Sequence, residues 1–205
     1  MGYEISSFVA SVREGLSASL DYPIIERIKS SVKINYCCDI NTNKNNELFS
    51  ESLPKELNLF FLNLLCNMNF VKNMLKPLFV NGNTWVFRIE YVVSYYTLRA
   101  LERFKNYCEN NSYTSVDMKG ITNILAFGEK IFKTKLRNCM MHYNLEDAGV
   151  ITVENVDKPF YGIIENCFEG MSYQDYTSSL YNLSDMIIEY LESRFDFSNL
   201  KVEQL

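Results

Sequence analysis

The one histidine of this 205-residue chain, His142, closes the segment Arg137-Asn138-Cys139-Met140-Met141-His142. Histidine is the side chain whose ordinary titration falls near neutrality, so it is the default general acid or base. Arginine keeps its charge at any working pH and presents a planar fork of donors suited to phosphate oxygens. A proton-transfer group beside a fixed cation suits chemistry on a phosphodiester. No glycine-rich phosphate loop, Ser-His-Asp order or carboxylate cluster competes with this segment.

The segment reads as helix, so its positions can be laid out at about 100° per residue. With Leu136 at zero, Phe132, Leu136, Met140 and Tyr143 fall within about 40° of one line and form a core stripe. Arg137, Met141, Asn138 and His142 follow at about 100°, 140°, 200° and 240°, away from that stripe. A histidine that served only the core would share the apolar face, and this one does not. Met141 is a bulky apolar residue between Arg137 and His142, which predicts that something covers this face. Arg137 and His142 stand about 140° apart and form no tight dyad alone, whereas Asn138 and His142, four residues apart, can touch. A two-fold partner would bring a second Arg and His to the same cleft, so a homodimer is expected.

Arg137-Asn138-x-x-x-His142 in an apolar helix, followed by Tyr143, resembles the motif of the HEPN superfamily of helical ribonucleases. That motif is an arginine, a polar residue just after it, and a histidine a few residues beyond. The resemblance covers roughly residues 53–195. It implies an antiparallel helical bundle that dimerises with the motif helices facing each other across the symmetry axis. It also implies metal-independent attack of the ribose 2′-hydroxyl on the adjacent phosphate. Carried over, His142 is general base or acid, Arg137 stabilises charge on the phosphorane, and Asn138 orients His142 or binds the phosphate. Such proteins serve as toxins or in phage defence, so an antitoxin or defence-system partner is implied as well. One departure matters. Toxins controlled by nucleotidyltransferase antitoxins often carry a tyrosine two residues after the histidine, and here that place is Asn144, with Tyr143 one residue after. Regulation by that route does not follow.

Composition bounds the rest. At 47% hydrophobic and 22% charged the chain can bury a real core, and 8 Gly with 4 Pro leave long helices few internal breakers. A net charge of −5 argues against a general nucleic-acid coat protein, though not against an enzyme touching RNA at one place. Locally the balance reverses: residues 117–142 carry Lys119, Lys130, Lys133, Lys135 and Arg137 against Asp117 and Glu129, a net of +3. Lys133 and Lys135 are the candidate RNA-binding lysines; a solvated basic face is the plainer reading. Six scattered cysteines and one histidine make neither a disulfide scaffold nor a zinc site, so no metal or other cofactor is expected. The N-terminus lacks a signal peptide and no apolar run spans a bilayer, which points to a cytoplasmic protein without membrane contact.

The helices that must position the motif are legible from residue 53 onward. Residues 1–50 form a poorly readable N-terminal extension, with short helices at 6–20 and 23–29, a strand period at 31–40 and an asparagine-rich loop at 41–46. Residues 51–205 form the helical bundle. Pro54 suits a helix start, and Leu57, Phe60, Phe61, Leu64, Leu65 and Met68 follow the 3.6 period, with 70–75 prolonging the helix. A second helix spans about 85–108, with Ile89, Val92, Tyr96, Arg99 and Arg103 spaced around it. Asp117 caps a third helix, which carries the motif. Residues 150–156 are a β-prone connector, and 159–170 are irregular or a short helix. The last helix spans 173–195 with Tyr176, Leu180, Leu183, Ile187 and Leu191 on one face. The expected fold is all-α, an antiparallel bundle of HEPN type with a small extension containing a short strand.

The expected function is a dimeric, metal-independent endoribonuclease with RNA as substrate. The alternative is a non-catalytic HEPN-like module that binds a nucleotide, an RNA or a protein, and a third reading is an unrelated structural bundle. The intact Arg, Asn and His favour the first; the acidic total charge favours the second.

Overall fold

The structure is a computed structural model that describes residues 36–37, 49, 53–79, 84–111, 116–142, 155, 157–197 and 203–204. Most of the extension read at 1–50, Tyr143 and nearly all of 150–156 lie outside the described residues. Among the described residues six helices make up the body: α1 (Lys55–Asn69), α2 (Thr84–Asn110), α3 (Met118–Ile131), α4 (Thr134–His142), α5 (Ile163–Cys167) and α6 (Tyr173–Glu192). The fold is an all-α bundle. Tyr36–Cys37 pairs antiparallel with Glu203–Gln204, two residues each, which makes no sheet layer. Among the described residues no helix is long and apolar enough to cross a membrane.

The helices form where pattern and caps agree. Pro54 stands at the N-cap of α1, and the buried Asn58 amide donates to the Leu53 carbonyl at 3.1 Å, closing the first turn. Phe61, Leu64, Leu65 and Met68 fill the core face. Residues Phe70–Leu75 continue as a π-helix into one α-turn, Lys76–Leu78. Asp117 caps α3 by accepting from the Gly120 N–H at 3.0 Å. Ser172 and Asp175 form a reciprocal capping box at the start of α6. Tyr176, Leu180, Leu183, Ile187 and Leu191 of α6 are fully buried, as the spacing predicts.

α2 is the central element, packed against α1, α3, α4 and α6. Gly128 allows the close approach of α3: a Cβ there would lie 2.4 Å from Leu98 Cδ2 in a filled core. Where α1, α2 and α6 meet, α2 buries a charge. Glu90 is 2% exposed, and its Oε1 accepts from Lys76 Nζ at 2.5 Å and from Ser184 Oγ at 3.2 Å. Ser94 and Ser184 hydroxyls pair at 3.0 Å, and the Lys76 ammonium rests 3.6 Å over the Tyr181 ring. Burial pushes the Glu90 carboxyl above its usual value, although Lys76 and Ser184 pull it down. The π-helical turn is what delivers Lys76 to this carboxylate.

The expectation of one continuous helix from Asp117 through the motif is corrected. The helix stops at Phe132, and the motif begins a separate helix, α4. No glycine or proline breaks it. Phe132 instead turns its ring between Tyr91 and Tyr95 of α2, with centroids 5.0 and 5.3 Å away. Its N–H still caps the end of α3 through Gly128 O at 2.9 Å. Aromatic burial across the α2 interface outweighs helix propensity at this residue.

Candidate functional site

Three elements enclose a groove of about 1050 Å³. α2 supplies its floor, Leu64 and Asn67 of α1 one wall, and Arg137, Met141 and His142 of α4 the other. The walls are set by packing behind them. Leu136, Cys139 and Met140 bury the opposite side of α4, and α5 packs against the same helix. Burying Leu136 and Met140 contributes roughly 1.5–3 kcal/mol each, which fixes the rotation of α4 and so aims Arg137.

Arg137 and His142 therefore open onto one groove, although they stand on different flanks of α4. Met141 lies between them, half-buried, and His142 is exposed at the last helical position. Asn138 is off the groove. Its Oδ1 accepts from both Nη2 and Nε of Arg137, at 3.0 and 3.3 Å, and so pins the guanidinium. A carboxylate in that place would neutralise the charge; the amide oxygen orients it and leaves it available to an anion.

The two lysines expected to meet RNA do not line this groove. The Lys133 ammonium sits 4.5 Å over the Phe168 ring, and Lys135 is exposed outside the lining. Their placement follows from the helix: Lys135 is about 200° from Arg137 and projects to the far flank. The groove's further cations come from α2, as Arg99 and Arg103. The five residues read as spaced around that helix, Ile89, Val92, Tyr96, Arg99 and Arg103, fall within about 80° of arc and share one outward face. The available signal was the Tyr95, Arg99, Arg103 series at four-residue spacing, which puts a phenol and two guanidiniums along one side.

Tyr95 joins the two halves of the site. Burial alone would raise its hydroxyl, but hydrogen bonding from Arg99 and Arg137 outweighs burial and brings it below the usual tyrosine value. The Tyr95 side chain thus lies beside two guanidiniums, that of Arg99 standing 5.2 Å from its ring centroid. An acidic chain has here gathered three arginines and its single histidine on one concave surface. Such a surface binds anions with more than one negatively charged oxygen and offers a proton-transfer group at its edge. Among the described residues no group of three or more His, Cys, Asp or Glu side chains is placed to hold a metal ion.

The arrangement defines a helical bundle with a cationic groove. Compared with family models, curated proteins and solved structures, the chain matches none.

Proposed function

We propose that the chain is a HEPN-type endoribonuclease that cuts RNA without a metal ion, with Arg137 and His142 at the cut. The observation that carries this reading is the common groove of Arg137 and His142, which α2 lines with Arg99 and Arg103. In the reaction the ribose 2′-oxygen loses its proton to an imidazole and bonds to phosphorus. Arg137 stabilises the charge that grows on the non-bridging oxygens. The bond to the 5′-oxygen breaks, that oxygen takes a proton, and the products carry a 2′,3′-cyclic phosphate and a 5′-hydroxyl. Asn138 acts through Arg137, as a positioning residue.

Attack and departure are roughly in line, so the two proton transfers occur on opposite sides of phosphorus. The chain holds one histidine, and a second copy facing the first across a two-fold axis supplies the other. The outer face of α2 supports such a pairing: on the turns before the groove-lining Val92, Trp85 is 64% exposed and Ile89 39%, apolar surface on the helix that floors the groove. The arginine end of the same face stays open, since burying unpaired guanidiniums is costly. Light scattering at tens of micromolar, where an interface of about −8 kcal/mol persists, is expected to give twice the chain mass. Trp85→Glu is expected to give the monomer and to lower cleavage with it. A monomeric wild type would overturn the two-copy site.

The nuclease reading is tested by incubating the wild type with single-stranded RNA in EDTA. Expected are cleavage, 2′,3′-cyclic phosphate ends, and resistance of a substrate with 2′-deoxyribose at the cut position. Loss of cutting in EDTA that a divalent ion restores would point to different chemistry. RNA binding without any cutting would favour the non-catalytic module.

A further inference from the structure

Beyond the cut itself, the groove carries more cationic surface than a single phosphate needs. Arg99 and Arg103 stand one helical turn apart on α2, about 6 Å along the axis, which is of the order of one nucleotide of extended backbone. Arg103 is exposed and makes no ion pair among the described residues. Arg99 pairs with the exposed Glu102 at 2.7 Å, a surface contact that exchanges readily for phosphate. Tyr96 stands on the same face, about 20° in angle from Arg103 and about 60° from Arg99, 62% exposed, with its ring in edge-to-face contact with Tyr95 at a centroid distance of 5.9 Å. Its exposed ring is a stacking platform on the same face as two phosphate-competent forks.

We infer that RNA lies along α2 as a single strand, with phosphates next to the cut on Arg99 and Arg103 and a base stacked on Tyr96. The inference rests on the nuclease reading for where the cut falls, and adds the substrate class: unpaired RNA of several nucleotides. Duplex RNA does not fit the same contacts. Its bases are paired and stacked inside, out of reach of a ring at the side of a groove. The net charge of −5 concentrates the attraction on these few arginines, so affinity depends on a small, countable number of phosphates.

The test uses the full chain and fluorescein-labelled oligonucleotides with 2′-deoxyribose throughout, which cannot be cut by this chemistry. Anisotropy is measured for two, four and eight nucleotides over a range of salt. The eight-nucleotide strand is expected to bind at least tenfold more tightly than the two-nucleotide one, with a log–log salt slope of roughly −2 for three phosphates on a single strand. Arg99→Ala and Arg103→Ala each remove about 0.7 from the slope and about tenfold in affinity, while Arg103→Lys keeps the slope. Tyr96→Ala loses roughly tenfold in affinity and leaves the slope unaltered, because stacking releases no counterions. All three residues are exposed on a helix surface, and melting curves check that the variants fold. Equal binding of short and long strands, or an unaltered slope in Arg103→Glu, overturns the inference. The two readings fail separately. Ribose strands bound with these slopes but never cut refute the nuclease and leave the strand path standing. Ribose strands that are cut with no dependence on length, Arg99 or Arg103 refute the path alone.

Discussion

His142→Ala is expected to lower RNA cleavage by roughly 10²–10⁴, the usual cost of removing a general acid or base. The side chain is exposed at the end of α4, so melting temperature should move little, and this separates chemistry from folding. Arg137→Ala should do comparable damage through lost charge stabilisation. Arg137→Lys should rescue only in part, because an ammonium cannot present the fork that Asn138 Oδ1 holds in place. Asn138→Asp keeps that geometry but pairs the guanidinium with a full negative charge, so it should lower kcat while leaving the fold intact. Single-turnover cleavage of a labelled single-stranded RNA, run beside thermal melts, reads all four variants. If His142→Ala cuts as well as the wild type, the histidine has no part in the reaction.

Lys76→Met is expected to cost about 3–5 kcal/mol of stability at pH 7, because it leaves the Glu90 carboxylate buried and unpaired. Methionine can keep the apolar contact with the Tyr181 ring, so the loss reports the charge. The pH dependence has a definite sign. Burial holds the Glu90 carboxyl above its ordinary value, so ionising it penalises the native state, and stability falls as pH rises from about 4.5 through the folded value. Lys76 limits that penalty in the wild type. Without it the folded value climbs further, so the variant should recover much of its lost stability between pH 7 and pH 5. Adding Glu90→Gln to Lys76→Met should restore stability at pH 7 as well. Urea denaturation at the two pH values tests this; an equal loss at both would mean that packing, not charge, is what Lys76 supplies.

Much of the bundle was legible in the chain. α6 shows why: five apolar residues at helical spacing specify its start and its buried face without reference to any other element, although the helix ends at Glu192 and not at 195. The starts of α1 and α3 were legible for the same reason, since Pro54 and Asp117 act on backbone groups within three or four residues of themselves. The Arg137-Asn138-Cys139-Met140-Met141-His142 segment was legible as chemistry because residue type alone fixes what an arginine and a histidine can do.

What only the tertiary structure decided is how distant groups meet. The break before α4 came from Phe132 settling between Tyr91 and Tyr95, which no local breaker announces. That junction turns Arg137 toward α2, so it lines one groove with Tyr95 and Arg99 while Lys133 and Lys135 face elsewhere. Glu90 reads in sequence as one more charge on a helix. It becomes a buried partner of Lys76 and Ser184 only when three helices, separated by 14 and 94 residues of chain, close around it. The sequence by itself determined the helices, their caps and the kind of chemistry available, because those depend on near neighbours and on side-chain type. Which cations share the groove, and which carboxylate is buried, depended on inter-helix packing, where the burial of a few aromatic rings outweighs local preference.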